Sequence, residues 1–127
     1  MHRDAELIMT AFQAFAAGDL ETVGGILAED IVWRVAGTSV LSGEYRGREA
    51  VYGFFGKVAE VTDGTFQQDV HAILADDDHV VVLLTDRWDH PTPFASDEVL
   101  VFHVHDDRVV ECWSIHADQA GMAAALA

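Results

Sequence analysis

The second half of the chain, from Thr65 to Ala117, reads as four strands in succession, interrupted only by turns and one loop, and this limits the fold more than any other feature. The strands are expected over Thr65 to Leu74, His79 to Trp88, Asp97 to His105 and Arg108 to Ala117. The acidic turn Asp76-Asp77-Asp78 and the tight pair Asp106-Asp107 join neighbours closely enough for antiparallel pairing, and Pro91 and Pro93 mark the loop. The apolar middle of the second strand, Val80 to Leu84, predicts burial on both of its faces.

The first half has the other periodicity. Leu7, Ile8, Ala11, Phe12 and Phe15 share one helical stripe, which Gly18 ends. Asp19 is placed to cap a shorter helix carrying Leu20, Val23, Ile26 and Leu27. A short strand, Ile31 to Val35, follows, then a loop from Gly37 to Gly47 with a small strand at Glu44 to Arg46. Val51, Phe54, Phe55, Val58 and Val61 predict a third helix, and Asp118 could cap a last, alanine-rich one. Helices first and antiparallel strands after is the α+β pattern. A curved sheet with helices over its concave side encloses a cavity, the first place to look for function.

Bulk composition narrows the partners. The chain of 127 residues is the length of one domain, and 50% of them are hydrophobic, so a packed core is expected. Seven Lys and Arg stand against 22 Asp and Glu, a net charge of -15 that repels phosphate and argues against nucleic acid and anionic membranes as partners. A neutral organic ligand is compatible with it. The lone cysteine, Cys112, excludes an intrachain disulfide and points to a cytoplasmic location. Met1 to Glu6 carries acids and precedes no long apolar run, so neither a secretion signal nor a membrane span is expected there.

Four segments, taken in order, carry a family likeness: Phe15-Ala16-Ala17-Gly18-Asp19-Leu20; Leu27-Ala28-Glu29-Asp30-Ile31-Val32-Trp33; Tyr45-Arg46-Gly47-Arg48-Glu49-Ala50-Val51; and Val104 to Trp113 across the final hairpin. Together they resemble the SnoaL-like, nuclear transport factor 2-like superfamily over essentially the whole chain. The resemblance implies a single domain over residues 1–127. It implies a cone-shaped, curved, mainly antiparallel sheet with about three helices of the N-terminal half over its concave face. It also implies a homodimer through the outer sheet face, where Val99, Val101 and His103 would lie. The superfamily includes isomerases, polyketide cyclases, epoxide hydrolases and non-catalytic binding proteins, so function must come from the site.

The ketosteroid isomerase base falls on Val35, its tyrosine near Ala11 and its acid on Leu100, all apolar here, which argues against that machinery. The acid/base aspartate of the polyketide cyclases falls on Ser114. Strand alternation puts Cys112, Ser114 and His116 on one face, and an imidazole exchanges protons near neutral pH, so His116 is the leading catalytic candidate. Arg87-Trp88-Asp89 matches the Arg-x-Asp spacing of the limonene epoxide hydrolases, and residues two apart share a strand face. Arg87 and Asp89 are therefore candidates as a charge-stabilising pair or as a structural ion pair.

Phe15, Trp33, Val35, Phe55, Leu100, Phe102, Cys112 and Ser114 are the expected lining of the pocket. Among the histidines only His103-x-His105 has a ligand-like spacing and it lacks partners, so no metal site and no cofactor are expected. The expected function is binding of a small apolar molecule, with cyclisation or isomerisation of a polyketide- or terpenoid-like substrate by His116, Arg87 and Asp89. The alternatives are epoxide hydrolysis through Arg87 and Asp89, or a silent ligand-binding or dimerisation module.

Overall fold

The computed structural model describes residues 1–127, in the order α1 (Arg3–Ala16), α2 (Leu20–Ile26), β1 (Leu27–Val35), β2 (Gly43–Arg46), α3 (Arg48–Val61), β3 (Gln67–Ala75), β4 (His79–Trp88), β5 (Phe94–His105), β6 (Arg108–His116) and α4 (Gln119–Ala125). The six strands form one sheet in the order β2-β1-β6-β5-β4-β3. Only the β1–β6 pair is parallel; every other neighbour is antiparallel. This is the expected α+β, mainly antiparallel architecture. No helix is long and apolar enough to cross a membrane.

The punctuation residues act as expected. Gly18, at φ +75°, takes the left-handed conformation that stops α1. Asp19 accepts from the Thr22 amide and hydroxyl at the start of α2, which holds its carboxyl below the usual range, and Asp118 accepts from the Gly121 amide to open α4. Two elements run longer than expected. Strand β1 begins at Leu27, which pairs with Val109 before a register shift, and β5 begins at Phe94, because Trp88 and Phe94 still pair across the loop.

The helices cover one face of the sheet. α1 packs on β3 and β4, α2 on β1 and β6, α3 on β1 and β2, and α4 on β5. An aromatic cluster ties the layers together: Trp33 on β1 meets Phe54 and Phe55 of α3 and Phe102 of β5, with ring centroids 5.5 to 5.9 Å apart. Register shifts between Val70 and Ala72, and between His103 and Val104, interrupt the ladders at places where sheets bend.

Strand β4 corrects one expectation. Its burial alternates strictly: Val80, Val82, Leu84, Asp86 and Trp88 are buried, whereas Leu83 is 39% exposed. An antiparallel sheet with helices on one side has one dry face, so the apolar run Val80–Leu84 does not mean burial on both. The outer face instead shows half-exposed apolar groups, among them Leu74, Leu83 and Ile115. Leu84→Ala is expected to cost about 2–5 kcal/mol of unfolding free energy by urea denaturation. Leu83→Ala should cost at least about 1 kcal/mol less, because its side chain gives up little buried area.

Candidate active site

The alternation that buries Val80, Val82 and Leu84 carries on to Asp86, so this carboxylate enters the core on the same face. On the neighbouring strand, Leu100, Phe102 and Val104 are buried in phase with Glu98. On β6, Cys112, Ser114 and His116 share the buried face. Register aligns the three strands: Leu84 lies opposite Glu98, and Glu98 lies opposite His116. Two acids and an imidazole are thereby brought together from strands that are adjacent in space.

The three side chains touch. His116 Nε2 lies 3.0 Å from Asp86 Oδ2 and 3.4 Å from Glu98 Oε2. The Ser114 hydroxyl donates to Glu98 Oε2 in a close contact, and Gln68 Nε2 donates to Asp86 Oδ1 at 3.5 Å. Asp86 is 1% exposed, Glu98 6% and His116 7%. Burial pushes the Glu98 carboxyl well above its usual range, and the charge of Asp86 and a hydrogen bond with it add to the effect, while the Ser114 hydroxyl opposes it. Two carboxylates this close in a dry site do not both ionise readily, which favours the protonated form of Glu98.

This cluster borders a cavity of about 100 Å3 between the sheet and the helices. The walls are apolar: Ile8 and Phe12 from α1, Val58 from α3, Met122 from α4, and Trp88 and Val109 from the sheet. No lysine or arginine lines it. Trp33 Nε1, Trp88 Nε1 and His116 Nδ1, on three lining residues, are buried without a hydrogen-bond partner. Beside the Asp86 carboxylate, His116 Nε2 is placed to carry the ring proton, which leaves Nδ1 as the open nitrogen.

Of the residues expected from sequence to line the pocket, Phe15, Trp33, Val35, Phe55, Leu100, Phe102 and Ser114 border the cavity, and so does His116. Cys112 does not. It is fully buried behind the lining, and burial raises its thiol well above the ordinary range, so it packs as a small apolar group. Arg87 and Asp89 are also corrected. They fall out of phase with Asp86 and Trp88 and face away from the cavity. Arg87 Nε donates to Asp69 Oδ2 at 2.6 Å, and Asp89 is exposed beyond the end of β4. The two do not pair, so the hydrolase reading built on them loses its residues.

Sequence reasoning passed over Asp86, Glu98, Gln68 and Trp88. The signal for Asp86 was present: applying to β4 the alternation already applied to β6 sets Val82, Leu84, Asp86 and Trp88 on one face.

The ligand atoms of Asp86, Glu98 and His116 lie within 4.8 Å of one another, a donor set that could take a divalent cation. A metal-bound histidine ordinarily donates its second ring N–H to an acceptor, and His116 Nδ1 has none.

Matched to known proteins, residues 9–112 fit the SnoaL-like domain. The uncharacterized protein Rv0034 of Mycobacterium tuberculosis is 33% identical over 79 residues, 62% of this chain. The chain spans about 60% of the length of the curated relatives it matches. Among solved structures, Bal32a from a soil-derived mobile gene cassette superposes with a TM-score of 0.93 at 25% identity, over 98% of this chain and 96% of its own. IdmH of Streptomyces antibioticus, a proposed polyketide cyclase, superposes with a TM-score of 0.78 at 25% identity, over 95% of this chain and 98% of its own.

The raised carboxyl has a sign that can be tested. A carboxyl that holds its proton more tightly folded than unfolded stabilises the fold below the unfolded value, and that contribution fades as pH rises through the folded value. Wild-type stability is therefore expected to fall above the ordinary carboxylate range, by up to ~1.4 kcal/mol per pH unit for one proton. Glu98→Gln should remove that slope, so its Tm measured against pH crosses above wild type as pH rises.

Proposed function

The chain belongs to the SnoaL-like domain family, and from that footing we propose that it is an acid–base enzyme acting on a small apolar, polyketide- or terpenoid-like substrate by cyclisation or isomerisation. One observation carries the reading. Asp86, Glu98 and His116 form a buried, proton-sharing cluster, without lysine or arginine, at the wall of an otherwise apolar cavity. A carboxyl with a raised pKa that meets an imidazole and a second acid at the wall of an apolar pocket is a functional-site candidate.

In this reading the His116–Asp86 pair accepts a proton from a carbon next to a carbonyl, and Glu98 lends its proton to the oxygen that gains charge. The C–H bond breaks and an O–H bond forms. Return of a proton to a different carbon, or attack of the enol on a second carbonyl, completes isomerisation or cyclisation. His116 Nε2 and Glu98 Oε2 are 3.4 Å apart, so a proton can pass between them, and the cluster exchanges its protons with solvent between turnovers. The charge of -15 does not impede entry of a neutral substrate.

Exchange of α-protons in 2-tetralone and related cyclic ketones, followed by NMR in D2O, tests the step without knowledge of the natural substrate. Wild type is expected to exceed buffer, and Asp86→Asn or His116→Gln to lower the rate by about 10²–10⁴-fold with folding intact by circular dichroism. Arg87→Ala and Asp89→Ala should leave the rate unchanged. Exchange no faster than buffer across the panel would remove the enzyme reading and leave a ligand-binding module. That second reading is favoured by one feature, the apolar residues Ala11, Val35 and Leu100 at the isomerase positions.

The outer sheet face supports a homodimer as part of the same proposal. Leu74, Leu83 and Ile115 are 55%, 39% and 46% exposed there, and an apolar face of this kind is what a second copy covers.

A further inference from the structure

The inner cavity, at about 100 Å3, is small beside the ~300–1,000 Å3 of most ligand pockets, and holds little more than one compact ring. A second cavity of about 760 Å3 lies between α1 and the edge strand β3. Phe12, Phe15, Phe66 and Gln68 line both spaces, so a single layer of side chains separates them. Those side chains are anchored on the inner side. Phe12 sets its ring edge-on to Phe102 at 6.2 Å, Phe15 meets Phe55 at 5.0 Å, and Gln68 reaches Asp86. None of the four is fully buried.

The outer groove has its own chemistry. Its apolar part includes Met1, Met9, Val70 and Ile73, and its polar part Gln13, Gln67, Asp69 and His71. No lysine or arginine lines it, and the one carboxylate there, Asp69, is already paired with Arg87. A negatively charged occupant would find no partner and would face the field of a chain at -15. Methionine surfaces accept apolar chains of varied shape.

We propose that the substrate spans both spaces: a compact, oxygen-bearing head in the inner cavity against Asp86, Glu98 and His116, and a neutral apolar tail passing between Phe12, Phe15, Phe66 and Gln68 into the α1–β3 groove. This rests on the inner cavity being the substrate site, and it adds the substrate's shape. The occupant of the groove is the far part of the same molecule, because the groove's inner wall is the cavity's outer wall. Val70 and Ala16 line the groove and not the cavity, so they select for tail length without touching the head.

A homologous series of 4-alkylphenols, from methyl to octyl, separates the two ideas by isothermal titration calorimetry. Affinity is expected to rise about fourfold per methylene, the increment for one buried CH2, and to keep rising after the inner cavity is filled. Val70→Trp fills the groove and should abolish the increment for the longer chains while leaving the 4-methylphenol affinity unchanged. Ala16→Leu, on a helix surface, should blunt it in the same direction if Val70→Trp folds poorly. If 4-methylphenol binds but affinity stops rising at the shortest chains, the two-part site is overturned and the inner site stands. A series that neither variant alters would overturn the two-part site in the same way. Self-association lost in Val70→Trp would put a second copy in the groove and also overturn it. Absence of saturable binding for every phenol would overturn the inner site and the extension together.

Discussion

Side-chain alternation on three adjacent strands is the constraint on which the rest of this molecule depends. Because the helices cover one face of the sheet only, every second residue of β4, β5 and β6 is committed to a dry interior. That commitment makes the hydrophobic layer, and it also carries Asp86, Glu98 and His116 into it. A shift of one residue on β4 would send Asp86 to solvent and bring Arg87 inward, destroying both the core and the cluster. Fold and site are set by the same period of two.

The cost of burying ionisable groups explains the chemistry of the cluster. Two carboxylates in an apolar wall without a lysine or arginine do not both ionise readily, and the balance favours the protonated form of Glu98. The Ser114 hydroxyl favours the ionised form of Glu98, and burial together with the Asp86 charge outweighs it. A carboxyl pushed above its ordinary range beside an imidazole sets a proton donor and a proton acceptor side by side. Arg87 shows the contrast: one position away along the strand, it sits in water and forms only a surface ion pair with Asp69.

Where local chemistry decides structure, the sequence was legible. Gly18, Asp19 and Asp118 end or begin helices through backbone conformation and side-chain caps, which operate within a few residues. Each of the expected strands formed, with β4 running from His79 to Trp88 as expected, because turn residues and apolar runs are local signals. The apolar lining was mostly legible too, since Trp33, Leu100 and Phe102 sit on regular strand faces. The misjudgement of Val80–Leu84 as buried on both faces has a physical source. An apolar run records how hydrophobic a strand is, while the number of layers packed against it is a property of the whole fold.

The candidate site lay between these cases. The sequence by itself determined the α+β order, the caps, the acidic, cysteine-poor character, and the alternation that groups Asp86 with Leu84 and Trp88, and Glu98 with Leu100 and Phe102. Only the tertiary structure decided that those inward positions meet. Residues 86, 98 and 116 become neighbours through strand register, and Gln68 joins them from a fourth strand. Register is set by pairing and packing across the whole sheet, and a three-residue spacing such as Arg87-x-Asp89 carries no information about it. Proximity of charges across strands, and hence which carboxyl keeps its proton, exists only once the sheet has closed over its core.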